Sequence, residues 1–210
     1  MIIAAHRTEC ARHPELFEQM YQLRAKSFAE RRGWTVNVSN GQEVDVFDDL
    51  NPLYIMSVSP SGKLVASLRL LQTTGPHMLS DVFPETMTGS PLIRHPLIWE
   101  SSRFCVDTEE ALNQRGRTVH MYTVEILLGM LETARDNAII NVVSVYDLLV
   151  ERILRRVGCP FDRLGEPFEY DGLKTVAGLS QPPAEAVKSI RAKSKIGHDI
   201  FSANHETEEV

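Results

Sequence analysis

The runs LYIMSV (53–58) and KLVASLRLL (63–71) constrain the fold more than any other stretch of this chain. Both are apolar, with β-branched or alternating residues, and the SPSG between them supplies turn chemistry through Pro60 and Gly62. A β-hairpin is expected there, and a hairpin this apolar needs partners on its edges and faces. IWESSRFCV (98–106) reads as a further strand and IINVVSV (139–145) as a buried one, while FEY-DG-LKTVAGL carries the Asp-Gly signature of a second hairpin. Helices alternate with these strands. Pro14 can open one, with Leu16, Met20 and Leu23 near helical spacing until Gly33, which predicts a helix over 14–32. Met121, Val124, Leu128 and Leu131 form a buried helical stripe between Arg117 and Asn137, and 146–156 reads as a helix stopped by Gly158. The order β-α-β-β-β-α-β-α-β-β predicts an α/β fold, a mixed twisted sheet flanked by helices.

Residues 72–98 hold Gly75, Pro76, Pro84, Gly89, Pro91 and Pro96, a connection longer than routine and therefore a candidate functional segment. A single domain is expected over 1–181, followed by a short helix and a polar, flexible tail to residue 210. The formal net charge of −6 argues against non-specific nucleic-acid binding, which needs clustered Lys and Arg. No apolar run approaches the roughly 20 residues that span a bilayer, so no membrane association is expected. Cys10, Cys105 and Cys159 are odd in number and lack a CxxC pattern, consistent with a reducing compartment and a cytoplasmic location. The seven histidines form no HxxH or HxxxH pair, and no metal is expected.

The stretch EVDVFDDL (43–50) gathers four carboxylates. If 43–46 is extended, Glu43 and Asp45 share one face while Val44 and Val46 point to the core. Like charges this close need a cation between them. Arginines stand inside the core elements: Arg24 on the first helix, Arg69 within ASLRLL and Arg103 within WESSRF. A charge in a strand ordinarily lies on a wet face, but three such arginines beside an acid cluster suggest a site or an ion-pair network.

The set Arg24, Phe28, RGW ending at Trp34, EVDVFDD, RLLQTTGPHMLSDVFP and WESSRF resembles the acyl-homoserine-lactone synthase family, in order and spacing from about residue 20 to 106. The resemblance implies an N-acetyltransferase-like three-layer fold. It also implies that the amine of S-adenosylmethionine attacks an acyl thioester, after which the homoserine moiety closes to a lactone and expels methylthioadenosine. S-adenosylmethionine is a substrate here, with no cofactor and no metal implied. The family's charged set falls on Arg24, Glu43, Asp45, Asp48, Arg69, Glu100 and Arg103, and its aromatic set on Phe28, Trp34 and Phe83. Asp49 matches nothing in that set and reads as a solvated surface acid.

A sulfonium and an ammonium favour carboxylate binders, and adenine can stack on Trp34 or Phe28. Those same carboxylates raise the ammonium pKa and oppose formation of the neutral amine nucleophile. A division of labour follows: most acids orient substrate or are neutralised by arginine, and one, Glu100 or else Glu43, takes the proton. Glu100 and Arg103 are three apart, on opposite faces of a regular strand, so a β-bulge in ESSRF is expected to bring both to one side and free a backbone N–H for the thioester carbonyl. Ser102 would help by hydrogen bonding, and Cys105 reads as a small buried hydrophobe.

The acyl tail is expected near INVVSV, against Met121 and Leu148. Asn141 stands where the family places a threonine in enzymes using 3-oxo chains. Arg152, Arg155 and Arg156 form one basic helical face that could dock an acidic acyl carrier protein, with acyl-CoA as the alternative donor. Two other readings compete. An acetyl-CoA-dependent N-acetyltransferase would show a pyrophosphate loop, of which NQRGRT is a fragment, and a non-catalytic acyl-carrier-binding module would not require Glu100, Arg69 and the aromatic pair together.

Overall fold

In the computed structural model, which describes residues 1–113 and 118–201, the chain begins β1 (Ile2–His6), α1 (Pro14–Ala25), β2 (Val38–Ser39), β3 (Gln42–Glu43), β4 (Leu53–Val58), β5 (Leu64–Gln72) and α2 (Met78–Asp81). It continues β6 (Ile98–Val106), α3 (Thr108–Asn113), α4 (Val119–Asp136), β7 (Asn141–Asp147) and α5 (Leu148–Val157), then β8 (Phe161–Arg163), β9 (Phe168–Tyr170), β10 (Leu173–Ser180) and α6 (Pro183–Ser194). The NQRGRT fragment falls largely on residues outside those described, as does the expected SANHETEEV tail.

The β4–β5 hairpin forms as expected and sits inside one eight-stranded sheet of order β1-β4-β5-β6-β7-β10-β8, with β9 also paired to β10. Pairing is antiparallel except between β6 and β7. The Asp171-Gly172 turn of the β9–β10 hairpin has φ of 48° and 75°, the left-handed pair that a two-residue turn of this hand requires.

Both faces of the sheet are covered. Ile55, Leu68 and Leu70 pack with Leu127, Leu128 and Leu131 of α4 on one side. Tyr54 and Met56, the alternate residues of β4, pack with Phe17, Met20 and Leu23 of α1 on the other. Arg69 alternates with Leu68 and Leu70 and so emerges on the α1 side. The first helix is shorter than expected: α1 ends at Ala25 and a π-helical turn spans Lys26–Glu30, after which Gly33 adopts φ 66°. Such wide turns re-aim side chains, and here Trp34 N–H bonds back to Phe28 O at 2.9 Å while the two rings stack 5.5 Å apart.

Helix α6 packs against α4, burying Ala186, Val187 and Ile190 in the main core, so the packed unit continues past residue 181. Among the described residues no helix is long and apolar enough to cross a membrane.

Candidate active site

The acid stretch is not extended as expected. After β3 the chain turns into a 3₁₀ helix over Val46–Leu50, and Val46 is 74 % exposed instead of pointing to the core. Asp45 is the reason: its side chain accepts from Phe47 N–H at 3.0 Å while Asp48 Oδ2 accepts from Asp45 N–H at 2.8 Å, a reciprocal cap that satisfies the helix start. The cap turns Phe47 and Asp48 inward, toward the arginines. Asp49 stays outside, 3.2 Å from Arg7 on the surface.

The three arginines are not on wet faces. Arg24 and Arg69 are fully buried, and with Arg103 they interleave with Glu43, Asp45 and Asp48. Arg24 meets Glu43 at 2.5 Å and grips Asp48 through both terminal nitrogens at 2.9 and 2.8 Å. Arg69 meets Asp45 at 2.5 Å and Asp48 at 2.8 Å, and its Nε donates to Ser102 Oγ at 3.1 Å. Arg103 reaches Glu43 at 2.9 Å and Asp45 at 2.8 Å and lies over the Phe28 ring. Tyr54, which the sequence reading missed, donates to Asp48 at 2.6 Å. Three guanidinium groups thus balance three carboxylates in a closed lattice. Burial opposes ionisation of Asp48, but its bonds to Arg24, the charge of Arg69 and the Tyr54 hydroxyl hold its pKa well below the ordinary carboxylate range.

Glu100 differs from those three acids. It is buried, and its carboxylate accepts from backbone amides, Met78 N–H at 3.0 Å and Leu79 N–H at 2.6 Å, at the start of α2. Burial pushes its pKa up, opposed by those two amides and by the charges of His77 and Arg69. The long 72–98 connection therefore supplies the groups that hold Glu100.

The bulge expected in ESSRF is present. Arg69 pairs with Ser102 and Ser67 with Cys105, so Arg103 and Phe104 together stand opposite Leu68. Arg103 takes up the extra residue at φ 55°, a left-handed conformation uncommon for a side chain of this size. Glu100 and Arg103 then line the same cavity. Cys105 is buried beside Ser67 in the α1-side core, with its thiol pKa raised by burial, which disfavours the reactive thiolate.

Two cavities meet here. One is a cleft of about 340 Å³ bordered by Glu43, Asp45, Trp34, Phe83 and the hairpin residues Tyr170 and Asp171. The other is narrower, about 70 Å³, and includes Glu100, Ser102, Leu127, Met130, Val150 and Phe161. Trp34, Met78, Phe83 and Arg103 border both. The buried indole N–H of Trp34 has no hydrogen-bond partner among the described residues.

The narrow cavity exists because β6 and β7 pair only from Ile98–Asn141 to Ser101–Ser144 and then part. The residues expected along the acyl tail lie outside this lining. Met121, Asn141 and Leu148 are not among those lining it, and Asn141 instead donates to Ser180 O at 2.7 Å at the closed end of β7. Arg152, Arg155 and Arg156 are exposed on α5, remote from the lattice in sequence, with Arg155 3.3 Å from Glu151. No cluster of three metal-ligating side chains occurs among the described residues.

A family model described as autoinducer synthase matches residues 8–190. The chain belongs to the autoinducer synthase family. A probable acyl-homoserine-lactone synthase of Sinorhizobium fredii is 38 % identical over 190 residues, covering 90 % of this chain and 91 % of that protein. The structure of a CoA-dependent acyl-homoserine lactone synthase, BjaI, with SAM and isopentyl-CoA is similar at TM-score 0.82 and 25 % identity, covering 94 % of this chain and 90 % of that one. At the level of fold alone, an acyl-CoA N-acyltransferase from Pseudomonas aeruginosa superposes with TM-score 0.56 at 16 % identity, covering 86 % of this chain and 99 % of that chain. This autoinducer synthase is thus an acyltransferase-family enzyme on an N-acetyltransferase-like scaffold.

Proposed function

We propose that the protein makes an N-acyl-homoserine lactone from S-adenosylmethionine and an acyl thioester. The observation that carries this reading is the meeting of an acid- and aromatic-lined cleft with a narrow, largely apolar cavity at Glu100 and Arg103. S-adenosylmethionine occupies the cleft, its adenine against Trp34 or Phe83 and its cationic groups toward Asp45 and Glu43. The acyl chain occupies the cavity between the parted strands.

Glu100 is the base. Glu43 is engaged by two guanidinium groups, whereas the Glu100 carboxylate is held only by backbone amides and burial pushes its pKa up, which favours its taking a proton. The amine loses its proton to Glu100 and its nitrogen attacks the thioester carbonyl. Backbone N–H groups at the Arg103–Phe104 bulge steady the oxyanion until the carbonyl re-forms and the C–S bond breaks, the excess proton on the attacking nitrogen passing to the departing thiolate. The homoserine carboxylate then attacks the carbon bearing the sulfonium, the C–S bond breaks, and methylthioadenosine departs. Arg24, Arg69 and Arg103 fix the acids in place, so the cleft is organised before substrate arrives.

The acyl donor is a carrier protein docked on the basic face of Arg152, Arg155 and Arg156. Charge reversal of Arg155 and Arg156 to Glu is expected to weaken carrier affinity by about tenfold at low ionic strength and flatten its salt dependence. Titration of the acylated carrier at several salt concentrations checks this, and unchanged values exclude the face. Similarity to a CoA-dependent synthase supports acyl-CoA as the second reading, and that reading predicts turnover with acyl-CoA that the same reversal leaves intact.

Incubation with S-adenosylmethionine and either donor, followed by mass spectrometry, tests the whole assignment. Acyl-homoserine lactone and methylthioadenosine are expected in equal amounts, and the absence of both with either donor refutes it.

A further inference from the structure

One carboxylate on the cleft stands outside the arginine lattice. Asp171 borders the cleft from the turn of the β9–β10 hairpin. Glu43 and Asp45, the other two acids on that lining, are both neutralised by lattice arginines. The Asp171 side chain, which is exposed, has no ion pair and no hydrogen bond among the described residues. Its lone pairs are free.

The turn does not need this carboxylate. Asp171 and Gly172 take φ of 48° and 75°, and a turn of that hand accepts asparagine or glycine at its first position as well as aspartate. The hairpin is anchored beside the cleft by the preceding residue. Tyr170 donates its hydroxyl to Glu85, and its ring lies edge-on to Phe83 at 4.9 Å. Asp171 therefore follows directly on a side chain fixed against the aromatic border of the cleft.

Its place along the cleft narrows what it can meet. Of the two openings, Glu100 borders the narrow cavity alone and Asp171 the cleft alone, while Trp34, Met78, Phe83 and Arg103 border both. A substrate whose amine reaches Glu100 turns its nucleoside end toward the part of the cleft that Asp171 borders. A carboxylate is an acceptor only, so it needs donors on the ligand. The nucleoside's adjacent ribose hydroxyls can engage both carboxylate oxygens together, whereas adenine offers chiefly its faces, to Trp34 or Phe83.

We propose that Asp171 is a substrate-binding residue whose carboxylate accepts hydrogen bonds from the 2′- and 3′-hydroxyls of the nucleoside. This rests on the lactone-synthase reading and assigns the ribosyl group of its substrate a contact outside the lattice. Asp171 thereby favours ribonucleosides over their deoxy counterparts.

The test uses 5′-methylthioadenosine, which carries adenine and ribose but neither the sulfonium nor the amino acid, beside its 2′,3′-dideoxy analogue and S-adenosylmethionine. Calorimetry compares the unaltered enzyme with Asp171→Gly and Asp171→Asn, both of which suit the turn. Asp171→Gly is expected to weaken methylthioadenosine binding by about tenfold, as is removal of the hydroxyls from the ligand, and the two losses do not add. Asp171→Asn keeps one acceptor oxygen and falls between. The KM for S-adenosylmethionine rises in the same order. Unchanged methylthioadenosine affinity in Asp171→Gly, or an equal loss on the dideoxy analogue, overturns the proposal. A loss confined to S-adenosylmethionine also overturns it, because Asp171 then meets the sulfonium or the amino acid. Lactone formation is assayed separately: its absence refutes the synthase reading, whereas a hydroxyl-dependent loss of methylthioadenosine affinity upholds the ribose contact in either case.

Discussion

Glu100→Gln lowers the rate of acyl transfer by about 10²–10⁴-fold, the range expected when a positioned general base is removed. The amide oxygen can still accept one of the two backbone bonds, but its NH₂ faces the other N–H, at a cost of about 1–3 kcal/mol in stability. The protein therefore folds and binds S-adenosylmethionine, which calorimetry and thermal unfolding verify, while single-turnover rates collapse. The pH profile adds a sign. In the unaltered enzyme the rate rises with pH through the Glu100 pKa, which burial places above the ordinary carboxylate value, and reaches a plateau where Glu100 is ionised. Glu100→Gln lacks that limb. A variant with near-normal rate, or with the acid limb intact, would return the role of base to Glu43 or to solvent.

Asp48→Ala destabilises the fold by about 3–5 kcal/mol, because it strips a buried carboxylate from Arg24 and Arg69 and leaves their charges without full compensation. For a chain of this size the melting temperature falls on the order of 10 °C. The effect depends on pH in a defined direction. The folded pKa of Asp48 is depressed below the unfolded value, so its stabilisation is complete above about pH 5 and is lost as pH falls through the carboxylate range toward the folded pKa. Denaturant unfolding between about pH 3 and 7 should show a shallower acid loss in Asp48→Ala than in the unaltered protein. Asp49→Ala, removing the exposed neighbour, changes stability by less than about 1 kcal/mol. Equal effects from the two substitutions would show that the lattice does not carry stability.

Much of the sheet was legible because its signals are local. The turn residues at 59–62 and 171–172 set two hairpins, and Gly158 closes α5 with φ 94°. The bulge in ESSRF was also legible, since chemistry required Glu100 and Arg103 on one side and strand geometry forbade it without an extra residue. Alternation failed at Val46, where a capping motif competed with extension; the D-x-x-D spacing of Asp45 and Asp48 was the available signal. Tyr54 and Tyr170 carried no signal, because nothing local distinguishes a tyrosine facing an acid from one facing the core.

The cavity lining was least legible. Every residue of α4 from Tyr122 to Ala134 is buried, so periodicity marks the stripe without telling which turn faces an opening. Leu127 and Met130 line it, and Met121 does not, because of where β6 and β7 separate.

The sequence by itself determined the elements, the residues that hold charge inside them, and the family to which their order points. Those follow from turn chemistry, periodicity and the composition of short segments, all of which act over a few residues. Only the tertiary structure decided how the charges divide. It closed three arginines on Glu43, Asp45 and Asp48, and left Glu100 on backbone amides. It also opened the narrow cavity, because pairing, burial and the parting of two strands are properties of segments distant in the chain.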